Sequence, residues 1–311
     1  MTAPREGSAL AVQAVLLLAM AVWGVNLSAV KALTGSLDIM VVAATRMVVA
    51  AVTLSLLVWP ARRRLAALGA RAVGRLALCA LLMVYANQIL FSSGLAHTTA
   101  TNAAIVMSLT PLVSSLVASA LLRERLGGRR LVGIAVGFGG VALVVLNRPG
   151  AALGTGWAGD LLLLGSVASF AAGGAMVQRL SRGLSALEIS WVVHAIGSAM
   201  LALHLAAGGA PVLAPLREAG ALSWALILFS GIGATALAAI AWNRAIARIG
   251  VARTAMWFYW VPIFGLAFAA LALGEPLTGW HALGLAGVIA GSLIALRADA
   301  GQGARAPAAG S

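Results

Sequence analysis

Ten long apolar stretches, separated by short polar or basic segments, follow one another along the 311 residues of this chain. A helix needs about 20 apolar residues to cross a bilayer core of roughly 30 Å, and most of the stretches have about that length. They lie at 10–30, 39–59, 76–96, 102–122, 131–146, 157–178, 187–207, 221–242, 254–273 and 279–296. The pattern predicts an all-α polytopic membrane protein with ten transmembrane helices.

The second half of the chain repeats the first. The segment 94–146 resembles the segment 245–297, which lies 151 residues later. Identical pairs at that spacing include Ala96 and Ala247, Pro111 and Pro262, Glu124 and Glu275, Gly133 and Gly284, and Gly140 and Gly291. We therefore predict a first five-helix repeat at 1–146, a linker at 147–156 and a second five-helix repeat at 157–296. Residues 297–311 lack apolar periodicity, and we expect a disordered cytoplasmic tail there.

Positive charge lies at opposite ends of the two copies. In the first copy the fourth span is followed by Arg123, Arg125, Arg129 and Arg130, and the matching positions of the second copy are Gly274, Pro276, Trp280 and His281. The second copy instead has Arg248 and Arg253 before its ninth span. Because arginine-rich ends face the cytoplasm, the two halves are predicted to cross the membrane in opposite directions, as in inverted-repeat transporters. Both termini are then cytoplasmic, and we expect a bacterial inner membrane protein.

Composition agrees with this topology. Hydrophobic residues make up 62% of the chain and charged residues 9%, and the mean hydropathy of +1.02 is far above that of soluble domains. The net charge of +13 comes mainly from arginines between apolar runs, without a basic domain or aromatic platform, so we predict no nucleic-acid partner. The expected partners are a small-molecule substrate and the lipid bilayer.

Several short motifs occur in a fixed order. They are Trp23-Gly24-Val25-Asn26 with Lys31, Arg46, Thr99, Pro111-Leu112, Glu124, Gly133 and Gly140, then Trp242-Asn243-Arg244-Ala245, Pro262, Gly274-Glu275-Pro276-Leu277-Thr278, Gly284 and Gly291. Over nearly the whole chain this order resembles the ten-span EamA-type members of the drug/metabolite transporter superfamily. The resemblance implies a secondary transporter that exports amino acids, related metabolites or drugs. It also adds Asn243 to the site candidates.

Two alternatives stay open for the function. The cargo could be another metabolite or drug, such as a nucleotide sugar or a lipid-linked group. From a different class, the chain could be a non-transporting membrane scaffold or sensor. A polar, aromatic-lined cavity between the repeats favours transport, whereas a dry interface filled with leucine favours a scaffold.

Polar and aromatic residues within the spans are the candidates for a substrate cavity. Residues three apart share one face of a helix, and three helices carry such pairs: Trp23 with Asn26, Tyr85 with Gln88, and Trp257 with Trp260, beside Tyr259. Tryptophan near span ends is also typical of the interfacial belt. The pattern leaves both interpretations open for Trp257 and Trp260.

Arg46 and His194 are ionisable residues inside predicted spans. A charge near the bilayer centre costs roughly 2.5–3.5 kcal/mol on insertion scales, so Arg46 must face protein or water. It either anchors a substrate carboxylate or has a structural role between helices. His194, with Trp191 three residues before it, either contacts substrate or hydrogen-bonds another helix. All acidic residues lie in tails, loops or span ends, so we predict no carboxylate proton relay and weak or absent ion coupling.

Pro111 and Pro262 occupy equivalent places in the fourth and ninth spans, where each is either a tolerated kink or one of a pair of hinges. Glycine spacings in the fifth and tenth spans predict close packing between them or a dimer seam, so the choice between monomer and homodimer stays open. The single cysteine and the absence of ligand-spaced histidine and carboxylate predict no metal. We also expect no cofactor, and no nucleophile has a plausible base nearby, so the chain is not expected to be an enzyme.

Overall fold

The computed structural model describes residues 6–59, 68–122, 128–147, 157–209, 212–274 and 276–303. Regular structure in these ranges is helical throughout. We number the helices in chain order, treating each broken span as one helix: α1 Glu6–Leu33, α2 Ile39–Val58, α3 Ala70–Ala96, α4a Ala100–Met107, α4b Thr110–Leu122, α5 Gly128–Leu146, α6 Trp157–Leu180, α7 Ala186–Ala207, α8 Ala221–Ile249, α9 Val251–Leu273 and α10 Gly279–Gly303. A short helix, Leu213–Glu218, lies between α7 and α8.

Eight helices of the described residues are long and apolar enough to cross a membrane. The fifth and tenth predicted spans correspond to two shorter apolar helices, Leu131–Val144 and Gly279–Gly291. These two helices pack against each other along glycines. A Cβ atom added to Gly140 would lie 2.6 Å from the Gly284 carbonyl oxygen, so only glycine permits this approach. The predicted contact between the fifth and tenth spans is therefore confirmed.

Several helix boundaries differ from the prediction. α3 begins at Ala70 and α8 ends at Ile249, several residues beyond the predicted spans. Both extensions carry arginines on a polar face and apolar residues on the other, so the helix continues beyond its apolar run. α10 continues through Gly303, where the sequence predicts a disordered tail from residue 297. Residues 148–156 of the predicted linker at 147–156 lie outside the described residues, and so do the arginine-containing segments 62–64 and 123–125.

The helix contacts reflect the duplication. Helices five apart in chain order are equivalent in the two repeats. The contact of α1 with α9 therefore corresponds to that of α6 with α4, and the contact of α3 with α6 corresponds to that of α8 with α1. α3 with α7 likewise corresponds to α8 with α2. The remaining large contacts, α2 with α7 and α5 with α10, join equivalent helices of the two repeats. Exchanging the halves thus reproduces this set of contacts, which confirms a two-repeat membrane fold.

Helical irregularities also occur in equivalent places. π-helical segments interrupt α3 at Leu81–Ala86 and α8 at Phe229–Leu237. Shifted by 151 residues, the first segment falls on 232–237, inside the second. The fourth and ninth spans are interrupted as well, by a turn at Ser108 and Leu109 and by a 3₁₀ segment at Met256–Tyr259. Such irregular segments are frequent at functional sites.

Pro111 and Pro262 each lie in the first turn of the helix that follows an interruption. A proline is tolerated there because amide groups of a first helical turn lack an intrahelical partner. In the fourth span the Thr110 hydroxyl donates to the Met107 carbonyl oxygen, 2.5 Å away, and so satisfies the acceptor that Pro111 cannot reach. The prolines therefore mark the start of the second helical segments, and their role as hinges stays a prediction.

Candidate functional site

A cavity of about 110 Å³ lies between the repeats and is lined by residues of every span except α5 and α10. Its polar lining residues are Asn26, Arg46, Asn87, Gln88, Thr110, His194 and Thr235. Its aromatic lining residues are Trp23, Phe91, Phe170, Trp242 and Phe258. Both π-helical segments contribute, through Met83 and Val84 of α3 and through Ala234 and Thr235 of α8. The interface of the repeats is therefore polar and aromatic at its centre.

Arg46 is the centre of a hydrogen-bond network at this cavity. Its Nη1 donates to Ser230 Oγ at 3.1 Å, and its Nη2 donates to Gln88 Oε1. Ser230 Oγ in turn donates to Asn26 Oδ1 at 2.5 Å. The network connects α1, α2 and α3 of the first repeat with α8 of the second. It holds the guanidinium in one orientation.

A second set of hydrogen bonds fixes Gln88. Its Nε2 donates to Asn87 Oδ1 at 3.0 Å, and Asn87 Nδ2 donates to Ser166 Oγ at 2.8 Å. Ser166 lies on α6, so these bonds also cross between the repeats. The amide groups are consequently oriented by the protein before any cargo enters, which is the arrangement expected of a preformed binding site.

No acidic side chain of the described residues is bonded to Arg46 to balance its charge. Arg46 is 2% exposed, and its hydrogen-bond partners among the described residues are neutral. Its Nε atom has no partner there. A buried charge without a counterion is costly. A bound anion would therefore be stabilised at this position.

Four aromatic rings from α1, α6, α8 and α9 contact one another at the cavity. Trp23 stacks on Phe258 with ring centroids 5.1 Å apart, and Trp242 meets Phe258 edge-on at 4.9 Å. Phe170 lies 5.7 Å from Trp242 and 6.2 Å from Trp23. We call Trp23, Phe170, Trp242 and Phe258 the aromatic cluster. It combines rings of both repeats.

The aromatic cluster lies between the hydrogen-bond network of Arg46 and the end of α8 that carries Arg244 and Arg248, which we call the arginine-rich side. Along α8, Trp242 is 12 residues beyond Ser230, about 18 Å at 1.5 Å per residue, and two residues before Arg244. Trp23 is fixed across the repeats because its Nε1 donates to the Ala234 carbonyl oxygen at 2.6 Å. The adjacent Gly24 lets α1 approach α9, since a Cβ there would lie 2.7 Å from Phe264 Cβ. The aromatic cluster therefore lies toward the predicted cytoplasmic end of the cavity.

His194 of α7 lines the cavity and is also tied to its own helix. Its Nδ1 lies 2.7 Å from the Ser190 carbonyl oxygen. Behind it, Asn243 Nδ2 of α8 donates to Ser190 Oγ at 2.8 Å. Asn243 thus supports the helix turn that carries His194, and it does not itself line the cavity.

Five of the predicted site residues line this cavity: Trp23, Asn26, Arg46, Gln88 and His194. Tyr85 does not, because its hydroxyl faces His204 Nδ1 at 2.9 Å. Trp191 does not line it either, because its Nε1 donates to Ser55 Oγ of α2 at 2.7 Å. Both side chains thus bind residues that are not among those lining the cavity.

The ninth span also differs from the prediction. Trp257 and Tyr259 pack against the core beside the cavity, and Trp260 is 43% exposed and contacts Phe264. The residue that lines the cavity is their neighbour Phe258. The 3₁₀ segment at Met256–Tyr259 changes the rotation per residue, so the face inferred for a continuous α-helix is displaced.

Sequence reasoning also missed Asn87, Phe170, Trp242 and Ser230. Trp242 was placed at the end of a span because the apolar run ends there. In the structure α8 continues to Ile249, so Trp242 lies deeper and is 1% exposed. The amphipathic extension with Arg244 and Arg248 was the available signal. Ser230, Asn87 and Phe170 have no distinguishing sequence signal.

A comparison with protein families matches the family described as EamA-like transporters twice, at residues 11–146 and 157–297. The two matches together cover most of the chain. This protein belongs to the EamA-like transporter family. It is therefore a multi-pass membrane protein of a transporter class, in agreement with the two-repeat fold and the central cavity of this EamA-like chain.

Curated relatives of this EamA-like chain include two uncharacterized transporters of Bacillus subtilis strain 168. YetK is 26% identical over 278 residues, covering 89% of this chain and 84% of YetK, and YyaM is 26% identical over 214 residues, covering 68% and 69%. A probable terminal-alkyne amino-acid exporter of Streptantibioticus cattleyicolor is 28% identical over 226 residues, covering 71% and 73%. A crystal structure of 18% identity superposes with a TM-score of 0.69 over 94% of this chain and 98% of that chain, which shows the shared fold.

Proposed function

We propose that this chain is a secondary transporter that exports small carboxylate-bearing metabolites, amino acids first among them, across the bacterial inner membrane by alternating access. The observation that carries the proposal is Arg46. A cavity that buries a guanidinium among neutral hydrogen-bond partners is complementary to one anionic group. Guanidinium and carboxylate form paired hydrogen bonds of matching geometry, and such a bond with cargo would balance the charge of Arg46.

The rest of the cavity fits a small organic body of mixed polarity. The aromatic cluster offers apolar faces next to the polar network, and the asparagine and glutamine side chains offer donors and acceptors. Phosphate cargo such as a nucleotide sugar fits less well, because Arg46 is the one lysine or arginine among the lining residues. The likeness to a probable amino-acid exporter supports both the cargo class and the outward direction.

Alternating access is supported by the symmetry of the contacts. Two conformations of similar energy are expected when two equivalent repeats enclose one site. The aromatic cluster would close the cytoplasmic end in one of them. In this proposal Pro111 and Pro262 act as hinges, since each begins a helical segment after an interruption of a span that borders the cavity. Both termini are cytoplasmic in this proposal, and monomer and homodimer remain equally compatible with it.

The test is counterflow in liposomes. The purified protein is reconstituted into liposomes that are preloaded with one unlabelled amino acid at a time. Uptake of the same labelled amino acid is then measured without an imposed ion gradient. We expect counterflow for a subset of neutral amino acids, and its loss in Arg46→Gln, because a neutral amide cannot balance a carboxylate in a buried site. Arg217→Gln, which changes an exposed arginine between α7 and α8, is the matched control and should keep wild-type rates.

Two outcomes would contradict the proposal. One is full counterflow by Arg46→Gln, which would mean that Arg46 has a structural role only. The other is an absence of counterflow for every amino acid by folded wild-type protein. In that case the same liposomes would be assayed with phosphorylated cargo.

A further inference from the structure

The hydrogen bond of His194 defines which of its ring nitrogens carries a proton. Nδ1 lies 2.7 Å from the Ser190 carbonyl oxygen, and a carbonyl oxygen can only accept. Nδ1 is therefore the protonated nitrogen in the neutral imidazole, and Nε2 carries a lone pair. His194 is 6% exposed and lines the cavity, whereas its Nδ1 is used within α7. The lone pair of Nε2 is thus the part of the ring that is left for a cavity ligand.

The three amide oxygens of the cavity each already accept a hydrogen bond. Asn26 Oδ1 accepts from Ser230, Asn87 Oδ1 accepts from Gln88, and Gln88 Oε1 accepts from Arg46. Among the described residues that line the cavity, none is acidic. For a cargo with a protonated amino group, His194 Nε2 is therefore an uncommitted acceptor, and an imidazole nitrogen accepts more strongly than the amide and hydroxyl oxygens of the lining.

Arg46 and His194 come from helices that occupy equivalent places in the two repeats. Arg46 lies on α2 and His194 on α7, and these helices pack directly against each other. The cavity consequently has a cationic donor from one repeat and a neutral acceptor from the other. This pair is complementary to a zwitterion, whose two charged groups would each bind a different repeat.

We propose that His194 Nε2 accepts a hydrogen bond from the protonated amino group of the cargo, which makes the cavity selective for α-amino acids over simple carboxylates. This inference rests on the proposed function, since it assumes that a carboxylate binds at Arg46. Asn243 is a positioning residue in this assignment, because its hydrogen bond to Ser190 supports the turn that holds the imidazole.

The experiment compares the affinity of purified protein for L-phenylalanine and for 3-phenylpropionate, which keeps the ring and the carboxylate but lacks the amino group. Wild-type protein should bind phenylalanine more tightly. His194→Leu removes the acceptor and should shift the ratio of the two affinities by roughly 10- to 100-fold toward phenylpropionate, because a buried ammonium group loses a charge-assisted hydrogen bond. His194→Gln keeps an acceptor and should retain the wild-type order.

His204→Leu is the matched control. His204 lies on the same helix, is exposed, and contacts Tyr85 outside the cavity, so the ratio of affinities should not change. A measurement without mutation uses the N,N,N-trimethyl derivative of phenylalanine, which keeps the positive charge but has no N–H donor. It should bind wild-type protein more weakly than phenylalanine does.

Each result decides the assignment. An unchanged ratio of affinities in His194→Leu would overturn it. A trimethyl derivative that binds as tightly as phenylalanine would also overturn it, and would indicate that the aromatic cluster recognises the cation. The same holds if His194→Gln behaves as His194→Leu does. If wild-type protein binds neither compound, the comparison uses a neutral amino acid that shows counterflow and its analogue without the amino group; if no amino acid shows counterflow, the carboxylate cargo itself is refuted, and the failure then belongs to the proposed function.

Discussion

At the scale of single residues, the hydroxyl of Ser230 connects two polar side chains of the cavity, Arg46 and Asn26. It accepts a hydrogen bond from Arg46 and donates one to Asn26, and it is fully buried. A buried donor that loses its acceptor pays the whole desolvation cost, which is largest for charged donors. Ser230 therefore links the charge of Arg46 to the packing of α8 against α1 and α2.

We expect Ser230→Ala to lower the free energy of unfolding by roughly 1–3 kcal/mol, because it leaves a guanidinium N–H and the Asn26 oxygen without this partner. Ser28→Ala is the matched control. The Ser28 hydroxyl is equally buried but has no hydrogen-bond partner among the described residues, so its removal should be neutral or stabilising. Thermal unfolding in detergent measures both. A Ser230→Ala variant as stable as Ser28→Ala would contradict the network.

Residue types within the spans predicted part of the cavity lining. Arg46, Asn26 and His194 were recognisable because polar atoms within a span need partners inside the protein. Which partner each finds was not recognisable: Tyr85 and Gln88 share a helix face in sequence, yet one meets His204 and the other Arg46. The π-helical segment of α3 changes the rotation per residue. The α-helical period of 3.6 residues per turn therefore does not predict which side chains share a face there.

At the scale of helices, α5 and α10 contact each other largely through backbone atoms. Gly140 and Gly284 bring the two helices close enough for Cα–H and carbonyl groups to touch, and Gly287 and Gly291 continue the same line. Such contacts stabilise helix pairs in membranes by van der Waals packing, because lipid supplies no hydrophobic force between them. The glycine spacing predicted a close helix contact, since only small residues permit it, but it left open whether the partner was the helix of the other repeat or a second copy of the chain.

Gly140→Ala should destabilise the protein measurably, because the added Cβ would lie 2.6 Å from the Gly284 carbonyl oxygen and 2.9 Å from the Val288 amide nitrogen, so the helix backbones must separate. Gly139→Ala is the control on the adjacent residue. Nothing lies within 4 Å of a Cβ there, so this change should raise stability by up to about 1 kcal/mol through helix propensity. Melting temperatures in detergent distinguish the two, and equal temperatures would contradict the close contact.

At the scale of the whole molecule, the duplication explains more than the number of helices. The two halves have helix contacts, π-helical segments and helix interruptions at equivalent positions, whereas the residues that each half contributes to the cavity differ. The repeated motifs predicted the symmetry because both copies retain the same glycines and prolines. They could not predict the aromatic cluster, since its four residues come from α1, α6, α8 and α9 and have no common spacing. The cluster is thus an asymmetric feature of a symmetric scaffold.

This asymmetry gives a prediction for the conformational equilibrium. If the aromatic cluster closes one end of the cavity, Trp242→Ala removes ring contacts to Trp23, Phe170 and Phe258 from that closed state alone. Aromatic contacts contribute about 0.5–1.5 kcal/mol each, so the equilibrium should shift by roughly tenfold or more toward the state open at the arginine-rich end. Trp191→Ala, whose indole lies outside the cluster, should leave it unchanged.

Side-specific labelling measures the shift. In a Cys79→Ala background, a cysteine at Thr110 reports access to the cavity, because Thr110 lines it and Cys79 is the only native cysteine. Membrane-impermeant maleimide should modify this cysteine faster from the arginine-rich side in Trp242→Ala and more slowly from the opposite side. Faster labelling from both sides would indicate loosened packing, and unchanged labelling would show that the rings line the cavity without closing it. Only opposite changes on the two sides fit a transporter whose closed end is the aromatic cluster.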